Sequence, residues 1–173
     1  MGMDVYGKAA TSKTGEYFRN SAWWWRPLWD YCRRIAPEIV TSEIHKSGHY
    51  NDGAGLDAAG TQSLAAALQA ELDSGRCAIY ANDYEARMVG IPDEDCPYCK
   101  GSGVRRDAVG VSMGMPDRLV DDKDSPRHGQ TGWCNGCAGL GHKRPSDTMY
   151  GFDVDNVRSF VAFMRDCGGF EIN

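Results

Sequence analysis

With 173 residues, 42% of them hydrophobic and 25% charged, the chain can bury the core of one domain and is too short for two large ones. Its formal charge of −5 opposes a general electrostatic grip on nucleic acid, which needs a basic surface to displace counterions. There is no apolar run of about 18 residues, so no membrane span is expected.

In chain order, the first element is a short β-like piece, Asp4-Val5-Tyr6, followed by a polar loop from Lys8 to Asn20. The run Trp23-Trp24-Trp25-Arg26-Pro27-Leu28-Trp29 then leads into a helix. Pro27 suits a first helical position and Pro37 cannot continue the helix, so about ten residues are bracketed, with Leu28, Tyr31, Cys32 and Ile35 on one face. Three consecutive tryptophans cannot all face one side. Most are expected in the core, with at least one of Trp23, Trp24 and Trp25 near the surface as a partner anchor or stacking platform.

Residues 41–56 read as a loop from their Gly, Asn and Asp content. His45 and His49 are four apart, a spacing that would place both on one face of a helix as metal ligands. Gly48 and Asn51-Asp52-Gly53 argue against a helix there, and Asp52 is the sole third ligand in view, so ordinary loop histidines are the favoured reading. The turn also lacks a calcium-loop pattern and a Walker lysine. Asp57 can cap the next helix, where Leu64, Leu68 and Leu72 recur every four residues and Gly75 marks the stop. Cys77, Tyr80, Ala81, Tyr84 and Met88 predict a further amphipathic helix before Pro92.

The most informative feature follows. Cys96-Pro97-Tyr98-Cys99-Lys100-Gly101-Ser102-Gly103 and Cys134-Asn135-Gly136-Cys137-Ala138-Gly139-Leu140-Gly141 are two copies of C-x-x-C-x-G-x-G. Paired thiolates are soft ligands, and two pairs fill a tetrahedral shell around one structural zinc ion. A glycine after the second cysteine permits the positive φ of a tight knuckle. Rubredoxin-like iron and disulfides are the alternatives; an odd total of seven cysteines and the absence of a secretory signal oppose disulfides and point to a cytoplasmic protein. A catalytic zinc would keep a water position, and the one nearby substitute ligand, His142, reads as a solvated or ligand-supporting residue.

Between the copies, residues 104–133 show no strong period and read as an exposed loop, with Val109-Gly110-Val111 as a candidate strand. Arg105, Arg106, Lys143 and Arg144 flank the knuckles and are the candidate contacts for a nucleic acid or other partner. Near the C-terminus, Asp153 caps a helix with an apolar stripe of Val154, Val157, Phe160, Val161 and Met164, ended by Gly168 and followed by Phe170. Cys32, Cys77 and Cys167 fall on apolar helix faces, where packing is the default role.

The paired C-x-x-C-x-G-x-G motif over residues 96–141 resembles the cysteine-rich zinc finger of the DnaJ (Hsp40) co-chaperones. Those proteins have four copies and a J-domain with an H-P-D signature. Two copies and no such signature here imply one zinc and carry no chaperone activity across. Met3-Asp4-Val5-Tyr6-Gly7, Gly15-Glu16-Tyr17-Phe18-Arg19-Asn20 leading into the tryptophans, His49-Tyr50-Asn51-Asp52-Gly53 and Cys167-Gly168-Gly169-Phe170 together resemble uncharacterised small proteins of bacteria and their phages.

The expected fold is α+β and mainly helical: a single compact domain whose body is formed by residues 1–92 and 144–173. A zinc-ribbon-like excursion carrying the four paired cysteines occupies residues 93–143. The expected role is a non-enzymatic protein-interaction module, as in a phage-encoded inhibitor or modulator of a host defence or nucleic-acid-processing protein. The alternatives are an enzyme whose site gathers His45, His49, Asp52 and Asp57, and a nucleic-acid-binding zinc ribbon.

Overall fold

The computed structural model describes residues 2–173 and has the α+β, mainly helical character expected. Two compact units are present, one built from residues 2–88 and Met149–Asn173 and the other from Val89–Thr148.

The larger unit centres on a four-stranded antiparallel sheet made of β1 (Gly2–Gly7), β2 (Tyr17–Ser21), β3 (Ala54–Leu56) and β6 (Phe170–Ile172). The spatial order is β2-β1-β6-β3. The central strand β1 pairs Val5 with Phe18 on one side and with Ile172 on the other. Met3 and Val5 alternate inward, as a half-buried strand requires. Three of the four strands differ from the sequence expectation. Tyr17–Ser21 lies in the expected polar loop, Ala54–Leu56 in the expected turn, and Phe170–Ile172 after the helix stop. Each is short, and β3 and β6 pair with strands distant in sequence, so no local pattern announces them.

Helix α2 (Ala22–Ile35) begins five residues earlier than expected, which places Pro27 inside it. Proline removes the N–H that would bond the carbonyl four residues back. That carbonyl, on Trp23, instead accepts from the Gly151 N–H at 3.1 Å, and the Trp24 carbonyl accepts from the Asn156 side-chain amide at 3.3 Å. A long-range partner thus permits an internal proline that local rules treat as a start signal. Trp25, Leu28, Trp29, Tyr31 and Cys32 face the core.

After α2 the chain forms a short helix α3 (Ser42–Ser47), capped by the Thr41 hydroxyl, in place of the expected loop. Helix α4 (Ala58–Asp73) follows the expected plan: the Asp57 carboxylate accepts from the Gly60 N–H at 2.7 Å, Leu64 and Leu68 are buried, and Gly75 turns out at φ +76°. Helix α5 (Arg76–Gly90) buries Cys77 and rests Tyr80 on Tyr31 and Phe152. Helix α7 (Val154–Asp166) is capped by Asp153 and buries Val157, Phe160, Val161, Phe163 and Met164. A four-residue helix, α1 (Lys13–Glu16), comes so close to α7 that a side chain on Gly15 would stand 2.3 Å from the Asp166 carbonyl oxygen. Cys32, Cys77 and Cys167 are buried, and burial raises each thiol above its ordinary range, which suits packing rather than nucleophilic use.

The smaller unit has a two-stranded sheet, β4 (Glu94–Asp95) with β5 (His142–Lys143), at the base of the cysteine knuckles. Residues 104–133 are mostly irregular and exposed, as expected, but the candidate strand within them is not formed. Val109–Val111 lie in a helix, α6 (Ala108–Ser112), because the Asp107 carboxylate caps it through the Gly110 N–H at 2.7 Å. Val104, Met115 and Val120 are buried within this segment, and Leu119 bridges to Thr131. Three apolar anchors so widely spaced leave no period to read. Among the described residues, no helix is long and apolar enough to cross a membrane.

One ion pair ties three helices of the larger unit together. Glu71 on α4 accepts from Arg76 on α5 at 2.7 and 2.9 Å and from the Tyr31 hydroxyl on α2 at 2.9 Å. The Arg76 guanidinium, with help from Tyr31, holds the Glu71 carboxyl below its ordinary range against the opposing effect of burial. Its stabilisation is therefore complete above the unfolded carboxylate range and is lost as pH falls through that range and below. Glu71→Gln is expected to lower the unfolding free energy by roughly 1 kcal/mol near neutrality. In urea unfolding followed by tryptophan fluorescence, the gap to wild type should close as pH is lowered to about 3.

Candidate metal centre

The two C-x-x-C-x-G-x-G copies fold into matching turns. In each, the residue after the second cysteine is left-handed, Lys100 at φ 50° and Ala138 at φ 49°, and the next glycine continues at φ 83° for Gly101 and 77° for Gly139. The final glycine is also left-handed, Gly103 at φ 70° and Gly141 at φ 87°, and serves a second purpose. A Cβ on Gly103 would stand 2.5 Å from the Gly139 carbonyl oxygen, and one on Gly141 would stand 2.4 Å from that of Gly101. Each copy thus packs its last glycine on the first glycine of the other, so both glycines of the motif are required by geometry. The Cys96 N–H donates to the Gly141 carbonyl at 2.8 Å and locks the pair.

This arrangement brings Cys96, Cys99, Cys134 and Cys137 together, their sulfurs all within 4.8 Å of one another and every residue buried. Cys96 Sγ lies 3.9 Å from Cys134 Sγ, and Cys99 Sγ lies 3.7 Å from Cys137 Sγ. A disulfide needs about 2.05 Å, so these are free thiols. A tetrahedron with metal–sulfur bonds of about 2.3 Å has edges of about 3.8 Å, which matches the observed spacing. The four sulfurs fit a metal ion such as zinc.

The electrostatics also call for a cation. Burial pushes the Cys137 thiol up to about 12 and raises Cys134. Cys96 is desolvated too, but hydrogen bonds from the backbone N–H groups of Tyr98 and Cys99 and from the Cys137 and Cys99 thiols together pull it down to about 7. One thiolate is thus readily accommodated, while four adjacent ones need positive charge among them. Gly141 N–H, 3.2 Å from Cys137 Sγ, is placed to support a bound thiolate.

The other sequence-derived candidates separate. His142 is on β5, and its Nδ1 contacts the Asp93 carboxylate at 2.8 Å rather than a sulfur. Arg105 packs its guanidinium 4.6 Å from the Tyr98 ring centre, with Nε on Asp107 at 2.8 Å and Nη1 donating to Asn135 at 3.1 Å. Lys143 is 3.9 Å from Glu94 and Arg144 is 3.5 Å from Asp93, while Arg106 is exposed. Three of the four flanking cations therefore have a carboxylate beside them, which weakens the case for a phosphate-binding face.

Trp25 corrects the expectation of a partner contact: it is fully buried, and its indole N–H donates to the Gly48 carbonyl at 2.6 Å. Trp23 and Trp24 are 40% and 44% exposed, the first against Tyr150 and the second over Gly151. Asp52 is exposed, and Asp57 is engaged as the α4 cap, so neither belongs to a site with the histidines. The carboxylate that meets His45 and His49 is Asp30, from α2. Sequence reasoning misses it because Asp30 lies 15 residues before His45, on a separate helix, and α3 replaces the expected loop.

No protein-family profile, curated protein or solved structure matches the chain. The metal reading accordingly rests on the four sulfurs and the turns that hold them. Cys134→Ser is expected to remove one zinc equivalent per chain, measured by elemental analysis after dialysis. Because a structural zinc contributes on the order of 10 kcal/mol to folding, amide hydrogen exchange in residues 89–148 should accelerate sharply while α7 keeps its protection.

Proposed function

We propose that the chain is a non-enzymatic protein-interaction module whose smaller unit is held in shape by one structural zinc on Cys96, Cys99, Cys134 and Cys137. The observation that carries this reading is the pairing of a saturated ligand set with an exposed apolar surface. Four sulfurs leave no coordination position for substrate. On the same small unit, Tyr98, Val109, Val111, Met113, Leu119 and Leu140 are each about half or more exposed. These exposed apolar side chains are the candidate contacts for another protein.

The co-chaperone-like motif accounts for the zinc knuckle and leaves the partner open. The segments that resemble small proteins of bacteria and their phages favour a host defence or nucleic-acid-processing protein as the partner class. Net charge of −5 and the paired flanking cations disfavour the nucleic-acid reading. Localisation in the cytoplasm, where thiols stay reduced, belongs to the same proposal.

The test is affinity capture from host lysate with the full chain, beside Val111→Glu and Leu119→Glu variants shown to keep their zinc. Retention of a defined protein by wild type and its loss in the surface variants is the expected result. Capture of nothing, or capture indifferent to these substitutions, would overturn the proposal.

A further inference from the structure

The larger unit contains a second convergence of ligand atoms, away from the cysteines. His45 Nε2 lies 2.7 Å from Asp30 Oδ1, His49 Nε2 lies 3.3 Å from the same oxygen, and the two Nε2 atoms are 3.3 Å apart. Two imidazole nitrogens and a carboxylate oxygen thus point at one small volume. We propose that Asp30, His45 and His49 form a second metal site, for a divalent cation of the zinc class, with three protein donors and the remaining coordination positions open to solvent.

The distances fit the chemistry. Bonds of about 2.05 Å in a tetrahedral arrangement place donor atoms about 3.3 Å apart, the separation seen for both contacts of His49. The 2.7 Å contact of His45 with Asp30 is a hydrogen-bond length and must open by about half an ångström. Asp30 has room for that movement, since its side chain is 54% exposed. Imidazole with carboxylate suits zinc, nickel, copper and ferrous iron rather than calcium or magnesium, and two histidines with one carboxylate are a sufficient set for zinc.

The scaffold holds the donors in place through the buried tryptophans. Trp29 Nε1 donates to the His45 carbonyl at 3.1 Å, and Trp25 Nε1 donates to the Gly48 carbonyl at 2.6 Å. Gly48 sits against the Trp29 indole, where a Cβ would come within 2.3 Å of Nε1. Arg33 binds the Pro37 and Val40 carbonyls and the Ser42 hydroxyl, which fixes the connection from α2 to α3. Helix α2 therefore supplies one ligand, Asp30, and also the indole and guanidinium groups that position the other two. Preorganised ligands of this kind lose little freedom when a cation arrives.

A cation on His49 Nε2 leaves the ring proton on Nδ1, which is buried without a hydrogen-bond partner, so the case for the site rests on the convergence of the three donor atoms.

Zinc itself is the probe, applied to the full-length protein and counted per chain after dialysis against buffered zinc. Wild type is expected to hold two equivalents, His49→Ala and Asp30→Asn one, and a Cys96→Ser/Cys134→Ser double variant one. If the cysteines bind nothing, wild type holds one equivalent that survives their replacement and disappears in His49→Ala, so failure of the four-cysteine reading is distinguishable. Imidazole nitrogen NMR of wild type, which needs no variant to fold, should show the Nε2 resonances of His45 and His49 moving with the second equivalent. A wild-type count of one that is abolished by the cysteine substitutions, or a second equivalent that survives in His49→Ala with unmoved imidazole resonances, overturns the proposal.

Discussion

Four buried sulfurs, paired at 3.7 and 3.9 Å, cannot all carry charge unless a cation sits among them, and the architecture of the smaller unit depends on that constraint. Apart from the cysteines, its buried apolar side chains are Val104, Met115 and Val120, too few to hold the whole of Val89–Thr148 by burial alone. The glycines of the two knuckles let the backbones approach until each copy rests on the other. An ion bound by the four sulfurs would convert this contact into folding energy. A unit stabilised at one end in this way can display α6 and the 104–133 segment as surface, because most of those residues are not needed to build a core.

The larger unit is stabilised differently, by a conventional aromatic core in which Trp25 and Trp29 stack and Phe160 and Phe170 pack edge-on against them. Both indole N–H groups leave that core to bind the backbone of the 45–48 segment. Buried tryptophans need a partner for the N–H, and here the partner is the turn that presents two histidines. Core packing and ligand placement are thus one arrangement, and the proline inside α2 is tolerated because the Gly151 N–H satisfies the carbonyl it orphans.

What is legible in the sequence is what local chemistry dictates. Helices α4 and α7 declare themselves through Asp57 and Asp153 as caps, a regular apolar stripe and a glycine stop, and the four cysteines through their spacing. What is not legible depends on distant partners. The strands β2, β3 and β6 are three to five residues long and make sense only within the assembled sheet. The true start of α2 depends on Gly151, far along the chain. His45 and His49 carry the right spacing, but the carboxylate the sequence suggests as their third ligand, Asp52, lies downstream, whereas the one that meets them lies upstream at Asp30. The capping signal at Thr41, three residues before Ile44, is the local clue to the helix that brings them together.

The claim on which the account turns is that the cysteines form one saturated metal shell. X-ray absorption spectroscopy of the full-length chain loaded with a single equivalent of zinc tests it directly. Four sulfur neighbours at about 2.3 Å, with no oxygen or nitrogen in the inner shell, are predicted. An inner shell that contains a water oxygen or an imidazole nitrogen at about 2.0–2.1 Å would contradict it, since the site would then be open or located elsewhere.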